Sequence, residues 1–238
     1  MKKKYDVFII TFTTTLIFLI WKFIVTLFTG TKNDIILWII GFVSSVGVYR
    51  SIVFLFHSSL KAFEPIKKFF LGNEYLNGIW LGYYIDTKGE KKYIVEYYEQ
   101  DIDTIQIRGY SYNENLELHA SWTSTSIAID VIKGKIFYTY SINGFADNIN
   151  YIGYAEFDFE RKKYCKYPLI MHGFSTEIQI AKRVISYEEK LTDKTIIKSR
   201  KELDFAQIAS KTYKDFPAPS SPFPKKEIKL GYEGKRII

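Results

Sequence analysis

From Asn77 onward the chain is a succession of short runs rich in Ile, Val, Thr, Tyr and Phe: "GIWLGYYID", "KKYIVEYYEQ", "DTIQIRGYSY", "LELHASWTSTS", "IAIDVI", "KIFYTYSI", "YIGYAEFDFE" and "FSTEIQIAKRVISY". They alternate over much of their length, and β-branched and aromatic residues fit a pleated, half-buried surface. Turn signals separate them: "DTKGE" at Asp86–Glu90, "KG" at Lys133–Gly134, and the polar clusters "NEN" and "NGFADN". Strands joined by tight turns predict an all-β, roughly eight-stranded antiparallel barrel, lipocalin-like, with a sandwich as the alternative. Small residues at Gly78, Gly82, Gly109, Gly153 and Ala155 favour closure, because a coiled sheet bends at such positions. In "LNGIWLGYY", parity puts Gly78, Trp80, Gly82 and Tyr84 on one face. Two glycines beside two large rings mark a barrel corner or the close approach of a ligand.

The preceding residues have a different character. "VFIITFTTTLIFLIWKFIVTLF" (Val7–Phe28) and "IILWIIGFVSSVGVYRSIVFLF" (Ile35–Phe56) are 22 residues each. As helices they measure about 33 Å, against about 30 Å for a bilayer core. The expectation is a two-helix transmembrane hairpin over 1–58, a juxtamembrane neck over 59–76, a cytosolic barrel over 77–190, and a short helix and proline-rich tail over 191–238. Lys22 and Arg50 each interrupt a span, where snorkelling competes with a pore role. Lys2, Lys3 and Lys4 before the first span, and Lys61, Lys67 and Lys68 after the second, predict a two-pass topology with both termini cytoplasmic. The neck places Leu60, Phe63, Lys67 and Phe70 at helical spacing, with Pro65 an obstacle and Lys67 and Lys68 available to anionic lipid. The lone Cys165 suits a reducing compartment.

The formal charge of +7 does not imply nucleic acid. Residues 1–72 carry nine Lys/Arg against three Asp/Glu and residues 73–238 carry 24 against 23, so the basicity is N-terminal and no duplex-binding face is expected. "LDFAQIASKTYKDF" places Phe205, Ile208, Ala209 and Thr212 on one helical stripe with Asp204 as N-cap, so a helix packs on the barrel or covers a mouth. Pro217, Pro219, Pro222 and Pro224 make the tail an extended strap or disordered.

No phosphate loop, serine-hydrolase elbow or His-Glu-x-x-His motif is present, and His57, His119 and His172 are far apart, so neither enzyme nor metal chemistry is expected and no cofactor is implied. Asp101 and Asp103 read as solvated turn residues, and Glu156, Asp158 and Glu160 as the wet face of a half-buried strand. What remains is aromatic and hydroxylic. Trp80 and Tyr84, then Trp122, Ser124 and Ser126, then Tyr138 and Tyr140 keep period-2 spacing within their own runs. If those faces point inward, they line a cavity for a flat polar ligand, since rings stack on bases and small donors hold phosphate; the alternative is a filled core. Arg108 interrupts "TIQIRGY" on the face of Gln106, with an outward position favoured.

In its order of parts the chain resembles the two-transmembrane β-barrel effectors of bacterial cyclic-oligonucleotide antiphage systems (CBASS). The residues that carry this are Gly78-x-Trp80, "TSTS" with Ser124 and Ser126, Tyr138-x-Tyr140 followed by Asn143, Gly153-x-Ala155, and "GFSTEIQIAKR" with Thr176. The resemblance covers the architecture to about Ser186; the C-terminal helix and tail depart from it. It implies a receptor at the bacterial inner membrane. A cyclic dinucleotide would bind Trp80, Tyr84, Arg108, Trp122, Ser124, Ser126, Tyr138, Tyr140 and Thr176, promote homo-oligomerisation, and lead the membrane segments to disrupt the lipid bilayer. The competing reading is a membrane-tethered lipocalin-like protein for a lipid or small apolar ligand.

Overall fold

The computed structural model describes residues 2–28, 46–55, 58, 63–144, 150–161, 165–178, 183–195 and 201–219. Eight antiparallel strands, β1 (Gly78–Ile85), β2 (Lys91–Gln100), β3 (Ile105–Tyr112), β4 (Leu118–Asp130), β5 (Lys135–Gly144), β6 (Asn150–Glu160), β7 (Ile170–Glu177) and β8 (Arg183–Thr192), pair in sequence order. β8 returns to β1, with Tyr83 opposite Tyr187 and Gly82 opposite Glu188, and closes the barrel. Closure leaves no free sheet edge.

The expected number of strands is right while two boundaries differ. "LELHASWTSTS" and "IAIDVI" form one strand, β4, with a bulge between Ser124 and Ser126. The bulge inserts one residue and exchanges the faces downstream of it. Conversely, "FSTEIQIAKRVISY" holds a reversal between β7 and β8, which no Gly or Pro announces. β8 runs two residues past the expected end of the barrel.

On β1 and β2 both faces are buried, for different reasons. Trp80 and, on β2, Ile94, Glu96 and Tyr98 point inward. Ile79, Leu81, Tyr83, Tyr93, Val95 and Tyr97 point outward and are covered by a helix over Glu202–Tyr213 through Phe205, Ala206, Ala209 and Tyr213. This helix lies on the barrel wall, not over a mouth. Lys201 is its N-cap and Asp204 its third residue; the Asp204 carboxylate accepts the Lys201 N–H at 2.8 Å. The start of the proline-rich segment is tied down: Tyr83 donates to the Pro217 carbonyl at 2.9 Å, and Lys91 Nζ donates to the carbonyls of Tyr213, Lys214 and Phe216. The rest of the expected tail lies outside the described residues.

A short helix, Glu64–Leu71, precedes the barrel. Pro65 lies in its first turn, where its missing N–H costs nothing, so it starts the helix instead of obstructing it. Glu64 accepts from the Tyr75 hydroxyl and from Asn77 Nδ2, which fastens this helix to one end of the barrel. Lys67 pairs with Glu64 and Lys68 with Asp193, so both cations expected at lipid are engaged within the protein.

The expectation of a transmembrane hairpin is overturned: among the described residues, no helix is long and apolar enough to cross a membrane. The first helix spans Lys2–Phe28. Thr11, Thr13, Thr14, Thr15 and Lys22 break that stretch, with Thr13 and Thr15 bonding back to the carbonyls of Ile9 and Thr11. The second expected span is helical over 46–55, and its first half lies outside the described residues. Lys22 and Arg50 are exposed on these two helical stretches. Ile9 packs with Val53, Ile66 and Phe70, joining the N-terminal helix to the neck.

Phe205 is 2 % exposed between the helix and the barrel wall. Phe205→Ala should lower the unfolding free energy by about 3–5 kcal/mol, read from the denaturant midpoint; a loss under about 1 kcal/mol would mean that the helix does not hold the wall.

Candidate functional site

Alternation around a closed eight-stranded cylinder leaves an interior that side chains either fill or line around one small ligand. Here the end next to the neck is filled. Trp80 is fully buried, donates its indole N–H to the Leu76 carbonyl at 2.9 Å and packs on Tyr98. Below it Lys190 lies 4.2 Å from the Tyr75 ring centroid and pairs with Asp193 at 3.2 Å. Burial pulls the Lys190 ammonium down to about 8, against the opposing pull of Asp193. Trp80, expected on the ligand, is instead part of this plug.

Above the plug is a cavity of about 400 Å³, within the 300–1,000 Å³ typical of small-molecule sites. Its mouth is at the opposite end from the neck, beside the β1–β2 turn, where Asp86, Thr87, Lys88 and Glu90 line it. Lys92 sits in the mouth, 4 % exposed, bonded to Glu90 at 2.6 Å and 3.6 Å from Asp86. Burial, and then the charge of Lys92, push the His119 imidazole at the mouth below its usual value.

Of the residues expected on the ligand, Tyr84, Trp122, Tyr138, Tyr140 and Thr176 line this cavity. Trp122 lies across Gly109 and Tyr140 across Gly153, where a Cβ would come within 2.1 Å of the ring in each case. Glycine is therefore required at both positions. Tyr138 stacks on Phe157, with centroids 6.1 Å apart and planes 3° from parallel.

Three expected residues are elsewhere. Arg108 is on the outer surface, paired with Glu99, as its parity with Gln106 had favoured. Ser124 accepts the Ile107 N–H at 2.9 Å and serves the β3–β4 ladder. Ser126 is exposed because the β4 bulge turns it outward.

The largest feature missed from the sequence is the floor. Glu96 and Glu188, from the two strands flanking β1, are each 1 % exposed and line the cavity. Glu96 Oε1 accepts from Trp122 Nε1 at 2.8 Å and from the Tyr138 hydroxyl at 3.1 Å. Glu96 also meets the Tyr98 hydroxyl and the Glu188 carboxyl, so the two acids are hydrogen-bonded to each other, and Glu96 Oε2 and both Glu188 oxygens are sealed from solvent. Desolvation pushes both carboxyls up, most strongly Glu188, which the Glu96 charge raises further. Two acids in one dry site cannot both ionise, so the pair retains a proton well above the usual carboxylate range. A signal was present: each glutamate interrupts a strand, "YIVEYYE" and "VISYEEK", whose two faces both carry apolar residues.

A carboxyl raised in the folded state stabilises the fold below its unfolded pKa, and that contribution is lost as pH rises through the folded value. The barrel should therefore lose stability as pH rises above the ordinary carboxylate range. Glu188→Gln should flatten this dependence and stabilise the protein at pH 8 by at least about 1 kcal/mol; an unchanged pH slope in urea titrations would refute the shared proton. Comparison of the chain with protein-family models, with curated proteins and with solved structures finds no match to any of them.

Proposed function

We propose that the barrel is a receptor for a cyclic dinucleotide, bound with one base inserted into the cavity and its phosphates at the mouth. The observation that carries this reading is the lining. Trp122, Tyr138, Tyr140 and Phe157 offer flat faces, and Ser175 and Thr176 offer hydroxyls. Bases stack on such rings at about 1–3 kcal/mol each, and a heteroaromatic edge satisfies polar atoms that are costly to leave unpaired. Lys88 and Lys92 are at the mouth, where an anion can draw Lys92 from Glu90.

An acyl chain fits this lining poorly, because it returns no hydrogen bond to the hydroxyls of Ser175 and Thr176. That argues against the lipid-carrier alternative. The resemblance to antiphage effectors supplies the setting: a signal made during infection, with binding that favours an assembled form of this chain. Such coupling requires only that the ligand bind the assembled form more tightly.

The test is a thermal-shift and calorimetric screen of the full chain against cyclic dinucleotides and fatty acids. A cyclic dinucleotide at 100 times its Kd should stabilise by about 2.7 kcal/mol, and Trp122→Ala should weaken binding at least tenfold. Stabilisation by fatty acids alone would reverse the assignment.

A further inference from the structure

Resting on the reading that the phosphates of a cyclic dinucleotide lie at the mouth, we propose that Glu90 is a built-in competitor for the ligand: its carboxylate occupies the place on Lys92 that a phosphodiester takes on binding. Lys92 alternates with Ile94 and Glu96 on the inward face of β2, so its side chain is buried and lines the mouth of the chamber. A buried ammonium is stable only beside negative charge. Two carboxylates meet this one, Glu90 at 2.6 Å and Asp86 at 3.6 Å.

The two partners are not equivalent. The Asp86 side chain is 15 % exposed, and its Oδ1 accepts the N–H groups of Lys88 at 2.8 Å and of Glu90 at 2.9 Å, so this carboxylate holds the β1–β2 turn together and cannot leave without opening it. The Glu90 side chain is 60 % exposed, and its Oε2 accepts from Lys92. Turned outward, Glu90 regains water at little cost and leaves the Asp86 turn unchanged. A phosphodiester carries one negative charge, as Glu90 does, so the exchange keeps the formal charge around Lys92 the same. A terminal phosphate would bring a second charge against Asp86. His119 lines the same mouth; burial, and then Lys92, hold its imidazole below the usual value, so it meets the phosphate as a neutral N–H donor. An anion held at the mouth alone gains little over Glu90, whereas one that also stacks in the chamber displaces it.

Calorimetry on the full chain with cyclic di-GMP, cyclic di-AMP and bis(4-nitrophenyl) phosphate, an aromatic phosphodiester, tests this. Glu90→Gln changes an exposed turn residue and should tighten binding of whichever cyclic dinucleotide the unmodified chain takes by about threefold to tenfold. Lys92→Gln should weaken that binding at least about tenfold, and in its background Glu90→Gln should change nothing. The last comparison separates exchange on Lys92 from a general loss of repulsion, which would persist without Lys92. Unchanged or weaker binding by Glu90→Gln, or tightening that survives in the Lys92→Gln background, would overturn the exchange and leave the cyclic-dinucleotide reading standing. Tighter binding of bis(4-nitrophenyl) phosphate by Glu90→Gln, dependent on Lys92 and with no cyclic dinucleotide bound, would do the reverse. Binding of none of the three probes by any of these chains would overturn both.

Discussion

Pairing of β8 with β1 closes the sheet, and closure turns side-chain parity into chemistry. In an open sheet a residue on the wrong face meets solvent. In a closed eight-stranded cylinder every inward residue shares one narrow space with its counterparts on the other strands. The glutamates of β2 and β8 thereby flank β1, Glu96 opposite Trp80 and Glu188 opposite Gly82, where the glycine leaves room for the Glu188 side chain. Each acid is perturbed first by burial, because the barrel closes around both.

The same closure divides the interior into two functional halves. Toward the neck, Trp80, Tyr98, Lys190 and Asp193 form a plug that the Glu64–Leu71 helix braces through Glu64 and Lys68. Toward the other end, glycines at 109 and 153 let Trp122 and Tyr140 lie flat over the opposing backbone and keep the chamber open. The outer wall of β1 and β2 would expose six large side chains of one hydrophobic cluster were it not for the Glu202–Tyr213 helix. Wall, plug and chamber thus depend on different segments, and the mouth of the chamber is at the end opposite the Glu64–Leu71 helix.

Part of this was legible in the sequence. The strand runs and turn residues gave the barrel class, and the rings of Tyr84, Trp122, Tyr138 and Tyr140 could be placed by period-2 spacing within single strands, because alternation is local. The errors arose where local alternation was interrupted or covered. The β4 bulge reversed Ser126, a reversal without Gly or Pro concealed the β7–β8 hairpin, and the covering helix made both faces of β2 apolar, so Glu96 did not register as an inward acid. The apolar N-terminal runs suggested two membrane spans; the threonines and Lys22 that dilute the first of them were equally visible and were given too little weight.

The sequence by itself determined the barrel class, the rings available to line a chamber and the absence of the common catalytic motifs, because propensity, parity and motif spacing are properties of short segments. Tertiary structure alone decided which Trp plugs the barrel and which lines it, and that two glutamates 92 positions apart in the chain share a dry floor. Those outcomes depend on strand register around a closed cylinder and on what covers its outside. Both arise from contacts between residues distant in sequence, and no local pattern encodes them.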